Sequence, residues 1–95
     1  MHPSEAHAYE WDEGNEDELA RHRIDEAEVM QVFDGSPVWV PNRKHRSGDW
    51  KMMGLTTAGR RLTIVLRWYE DRRTVRAITG WDSTDGERTR YFGGR

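Results

Sequence analysis

The sequence predicts an α+β domain: two N-terminal helices packed on a mostly antiparallel sheet of four or more strands, with a short C-terminal helix. Three observations predict it. Asp25 with Glu28 three residues on forms a capping box ahead of Ala27, Val29 or Met30, and Phe33, which recur at helical spacing. After Gly35-Ser36-Pro37 the apolar period drops to two. Leu62, Ile64, Leu66 and Trp68 then fill one face of a long strand, while Thr63, Val65, Arg67 and Tyr69 fill the other.

The elements follow in order. Residues 1–8 are expected to be a disordered lead-in, residues 9–92 a single domain and residues 93–95 a frayed tail. Tyr9-Glu10-Trp11 alternates large and polar residues, as a short first strand does. Asp12-Glu13-Gly14-Asn15 reads as a turn feeding a helix over residues 16–22, whose acidic first turn and basic Arg21-His22-Arg23 end suit the helix dipole. The second helix starts at Asp25 and stops at Gly35. Val38-Trp39-Val40 is a short strand that Pro41 keeps near a sheet edge. A polar, basic loop over residues 42–49 leads to a strand at 50–55, and Thr57-Ala58-Gly59 turns the chain into the long strand. Residues 70–73 turn again, and residues 74–81 return antiparallel. Thr84 with Glu87 is a second capping box, opening a last helix through Tyr91. The predicted order is β-α-α-β-β-β-β-α.

Charge is divided between the two ends. Residues 1–36 hold eleven acidic side chains against Arg21 and Arg23, and residues 37–95 hold thirteen basic against six acidic, although the net charge is only −2. A basic segment of this kind suits a phosphate-binding surface. The acidic block fits a solvated face, a partner for basic chains, or a screen over the basic half. The chain has no cysteine, which excludes disulfides, thiolate metal sites and thiol nucleophiles and fits a reducing cytoplasm. No apolar run approaches the ~20 residues of a membrane span, and the first nine residues lack the apolar stretch of a signal peptide.

Few residues carry specific chemistry. His2 and His7 sit in the lead-in, and His45 in a basic loop that reads as solvated. His22 is either a residue complementing a helix terminus or a general acid–base group. Arg60, Arg61, Arg67 and Arg76 sit on or beside two adjacent strands; exposed strand arginines are common, yet a shared face would let them clamp phosphate. Trp11, Trp39, Trp50 and Trp68 read as core, and Trp81 as rim packing or a base-stacking platform. Glu87 is first a capping carboxylate. No glycine-rich nucleotide loop, metal cluster or cofactor motif is present. RNA brings its own 2′-hydroxyl nucleophile, so a protein cutting it need supply only proton transfer and positive charge.

Five short motifs in order resemble the BrnT family of bacterial toxins: Tyr9-Glu10-Trp11-Asp12, Ala20-Arg21-His22-Arg23-Ile24, Gly54-Leu55-Thr56-Thr57-Ala58-Gly59-Arg60, Val75-Arg76-Ala77-Ile78-Thr79, and Glu87-Arg88 with Tyr91. The resemblance spans residues 9–92. It implies a fold similar to RelE, a metal-independent ribonuclease of a type II toxin–antitoxin module, and a DNA-binding antitoxin as partner. On that pattern Arg60 and Arg76 hold the scissile phosphate, and His22 or Glu87 moves the proton. Arg61, Arg67, Trp81, Arg88 and Tyr91 are the expected RNA contacts. The chain departs from the pattern at Leu55 and Trp81, where relatives carry arginine, and at Arg23, where they carry glycine. The rival expectation is a non-catalytic protein- or RNA-binding module. Convergence of Arg60, Arg76 and His22 in one cleft is the feature that separates the two.

Overall fold

The alternating strand at the heart of the sequence is also the centre of the sheet. In the computed structural model, residues 1–42 and 48–92 are described. They form β1 (Ala8–Tyr9), α1 (Glu13–Ala20), α2 (Glu26–Asp34), β2 (Val38–Pro41), β3 (Trp50–Leu55), β4 (Arg61–Tyr69), β5 (Thr74–Asp82) and α3 (Asp85–Phe92). The sheet order is β1-β5-β4-β3-β2. Antiparallel pairing joins β2 through β5, and β1 adds a short parallel edge on β5. The fold is α+β, as expected, and β2 with Pro41 is the opposite edge.

Helix boundaries shift where a capping residue was misassigned. Asp12 caps α1 with Asn15 as its capping-box partner, so the helix begins at Glu13 rather than residue 16. It ends at Ala20, which places His22 in the following turn. Arg23 then reverses the chain with φ 58°, in the left-handed region. Asp25 and Glu28 form the expected box on α2.

One sheet face carries the main core. Leu62, Ile64 and Leu66 of β4 pack with Met52, Ala77, the helix residues Leu19, Val29 and Val32, and Ile24 from the turn between the helices, all nearly inaccessible to solvent. Truncating such a buried Leu to Ala costs about 2–5 kcal/mol. Trp68, at the strand end, is only half-buried. Gly80 of β5 is required here, because a Cβ would lie 2.7 Å from Ile64 Cδ1 and 3.0 Å from Thr63 O.

The opposite face departs from simple alternation. Thr63, Val65 and Met53 are buried there as well. The reason is cover: α3 folds back over the Thr63 end, and Gly48 passes so close to Val65 that a Cβ would sit 2.8 Å from Val65 Cγ1. A bulge leaves Ile78 unpaired between Val65↔Thr79 and Leu66↔Ala77. That extra residue switches the phase of β5, so Arg76 stands opposite Arg67, off the main core face, while Gly80 faces the core.

The lead-in is corrected too. Pro3–Glu5 form one 3₁₀ turn capped by His2, Pro3 is buried, and the His2 ring meets Trp50 and Trp39 edge-on at 4.8 and 5.4 Å. Indole surface at the sheet edge gives this segment something to bury against. The His45 loop and the terminal Gly93-Gly94 fall outside the described residues.

Candidate functional site

Arg60 lies just before β4, where Gly59 (φ 86°) ends the preceding turn. Its guanidinium is fully engaged inside the protein. Nε and Nη2 donate to Asp82 Oδ1 and Oδ2 at 2.7 and 3.1 Å, Nη1 to both Glu28 carboxylate oxygens at 3.2–3.3 Å and to Arg23 O, and Nη2 to His22 O at 3.1 Å. The hydrogen bonds to Asp82 and then to Glu28 raise the Arg60 pKa, while those from Arg60 lower that of Asp82. The residue therefore ties the α1–α2 turn and the start of α2 to the end of β5.

Arg76 is held the same way by other acids. Nη1 and Nη2 fork onto Asp12 at 2.8 and 3.0 Å, and Nη1 also reaches Glu10 at 3.2 Å. This bidentate bond is the main reason the Asp12 carboxyl lies below its ordinary range. Arg76 and the Arg60 partner Asp82 stand six positions apart on β5, on the order of 20 Å of strand. His22 is half-exposed, with Nε2 3.3 Å from Glu18 Oε2, and the same Glu18 oxygen accepts from Thr79 Oγ1 at 2.8 Å. Arg60 thus touches the backbone of His22, yet the side chains of Arg60, Arg76 and His22 sit on three separate carboxylate anchors rather than around one shared cleft.

A second group does gather, on the sheet face away from α1 and α2. Glu87 Oε1 accepts from Thr84 N at 2.9 Å, Trp81 Nε1 at 3.0 Å and Thr63 Oγ1 at 3.1 Å. Burial pushes the Glu87 pKa up, but these three donors outweigh it and hold the carboxyl below its ordinary value. Glu87 is therefore an ionised clasp that fixes α3 to the sheet, with Trp81 as one of its donors. Beside it opens a cleft of about 370 Å³ lined by Lys51, Thr84, Gly86, Glu87, Arg90 and Tyr91. Arg90 stacks against Tyr91, 5.4 Å from the ring centroid, and Arg61 lies 4.2 Å over Phe92.

Of the expected RNA contacts, Tyr91 lines this cleft and Trp81 braces it. Arg61 lies at the C-terminal end of α3, against Phe92. Arg88 is half-exposed beside Asp85, and Arg67 is exposed further along β4. Lys51 and Arg90 were not singled out by sequence reasoning. The signal for Lys51 was available: it alternates with Trp50 and Met52, so it must face away from the main core. Among the described residues, no group of three or more His, Cys, Asp or Glu is placed to hold a metal ion. None of their helices is long and apolar enough to cross a membrane.

A scan of protein-family models finds no match to this chain, and no curated protein matches it either.

Proposed function

We propose that this chain is a toxin-like RNA-binding domain, on the BrnT pattern its motifs resemble, and that it takes RNA on the open sheet face beside α3. The observation that carries the reading is the cleft in which Lys51, Arg90 and the Tyr91 ring surround a carboxylate already satisfied from within. Two cations beside an aromatic ring offer a phosphate contact and a stacking surface together, the usual combination for single-stranded nucleic acid. On this reading the protein works in the cytoplasm, needs no cofactor, and is restrained by a DNA-binding antitoxin.

Cleavage is a second activity on this reading, slow and independent of metal. The catalytic set expected from Arg60, Arg76 and His22 is not its basis, because carboxylates already neutralise both arginines. Glu87 Oε2 is favoured instead, since the described donors all bind Oε1. A carboxylate held below its ordinary pKa is a poor proton acceptor, which is why the rate should be low.

The test is fluorescence anisotropy with a labelled single-stranded RNA. Lys51→Glu and Arg90→Glu should each weaken binding roughly tenfold or more, and the log–log salt slope should be about −1.4 for these two phosphate contacts on a single strand. Equal binding by both variants would remove the proposal. Cleavage should persist in EDTA and disappear in Glu87→Gln; its absence in the wild type would leave the binding activity alone.

A further inference from the structure

The acidic residues of the front half fall into two populations. Glu5, Glu10, Asp12, Glu18 and Glu28 contact cations of the chain. Glu13, Glu16, Asp17, Asp25, Glu26 and Asp34 form no ion pair among the described residues, and all six are exposed. Three of these, Glu16, Asp25 and Glu26, line the rim of a cleft of about 270 Å³ on the helical side of the molecule. Its floor is apolar: half-buried Trp11, buried Leu19 and buried Ile24. Helical spacing sets Glu13, Glu16, Asp17 and Ala20 on the same side of α1, so the negative rim continues along that helix.

We propose that this cleft docks a basic segment of a partner protein. One bulky apolar side chain enters between Trp11, Leu19 and Ile24, and flanking Lys or Arg side chains meet Glu16, Asp25 and Glu26. Three features choose this occupant. The volume is below the ~300–1,000 Å³ usual for small-molecule pockets and suits a single side chain. The floor offers apolar contact and few polar groups. The rim carries unpaired negative charge, which repels nucleic acid and attracts a basic chain. Charge complementarity thus supplies the orientation, and the apolar anchor most of the affinity. The surface lies on the far side of the sheet from the Lys51 cleft, so it stands or falls separately from the RNA reading.

The experiment uses the whole chain and a fluorescein-labelled peptide containing Arg-Arg-Leu-Arg-Arg, with a second peptide in which Gly replaces Leu. The Leu peptide should bind roughly tenfold tighter than the Gly peptide, as loss of one buried anchor requires. Glu16→Lys combined with Glu26→Gln should weaken it roughly tenfold again. Ala20→Phe, at an exposed helix position on the cleft wall, should bring the Leu peptide down to the Gly peptide. Circular dichroism and melting of each variant check that it folds. Equal affinity for the two peptides would show diffuse charge attraction and overturn the proposal, as would indifference to both variants or no binding at all. Self-association abolished by Glu16→Lys would assign the cleft to a second copy, and that too would overturn it.

Discussion

Arg60 shows how a residue typical of a phosphate site becomes an internal brace. Its donors meet two carboxylates and two carbonyls from three separate segments, leaving no unpaired donor for a phosphate. Arg60→Ala strands Asp82, Glu28 and two carbonyls, and should cost about 2–3 kcal/mol in chemical denaturation. Arg60→Lys should recover little of that, because a point charge cannot reproduce the fork. Unchanged stability together with lost RNA binding would instead make Arg60 a phosphate ligand. Arg23, next to this brace, occupies a left-handed conformation that costs a non-glycine residue on the order of 1 kcal/mol. Glycine removes that strain but adds freedom to the unfolded chain. Arg23→Gly should therefore raise stability by about 0.5 kcal/mol, read from the denaturation midpoint.

At the scale of elements, one device recurs: a capping carboxylate also makes a tertiary bond. Asp12 caps α1 and clasps Arg76; Glu28 completes the box on α2 and holds Arg60; Glu87 completes the box on α3 and receives Trp81 and Thr63. The starts of α1 and α3 are thereby fastened to sheet strands, and that of α2 to the turn that leads into β4. Glu87→Ala removes both functions at once, so α3 should lose protection in hydrogen-exchange mass spectrometry while β4 and α2 keep theirs. Equal loss throughout the chain would show α3 to be part of the main cooperative unit. Trp81→Arg is the complementary case. A guanidinium still offers Glu87 a donor and adds a cation to the open face, so RNA affinity should rise severalfold with only a small fall in melting temperature. A large fall in melting temperature without gain in affinity would mean the indole is needed for packing alone.

For the whole molecule, part of the divided charge is met internally. Acidic groups of the first half meet basic groups of the second in Glu28–Arg60, Asp12–Arg76, Glu10–Arg72 and Glu5–Arg73. These contacts hold the helical layer and the N-terminal turn against the sheet. Asp12, Glu18, Asp82 and Glu87 all have folded-state pKa values below their ordinary ones, through Arg76, Thr79, Arg60 and the donors around Glu87 respectively. For a lowered carboxylate the stabilisation is complete above the unfolded pKa and is lost as pH falls through the folded one. Melting temperature should therefore hold near neutrality and fall once pH drops below about 4. Thermal melts from pH 7 down to 2.5 check this; a loss beginning above pH 5 would point to other groups.

The order of elements, the α+β class, the long central strand and two of the three α-helix capping boxes were legible in the sequence because each rests on spacing within a few residues. The third box was missed because Asn15 is a less familiar partner than Glu, and α1 was placed too late in consequence. Three things needed the tertiary structure. The bulge at Ile78, which decides the faces of Arg76 and Gly80, comes from pairing with β4. The burial of Thr63 and Val65 comes from α3 and Gly48 covering a face that alternation alone leaves open. The engagement of Arg60 and Arg76 depends on carboxylates 32 and 64 positions away in the chain. Local pattern fixes which way a side chain points from its own backbone, but the charge it meets there is set by segments that only folding brings near.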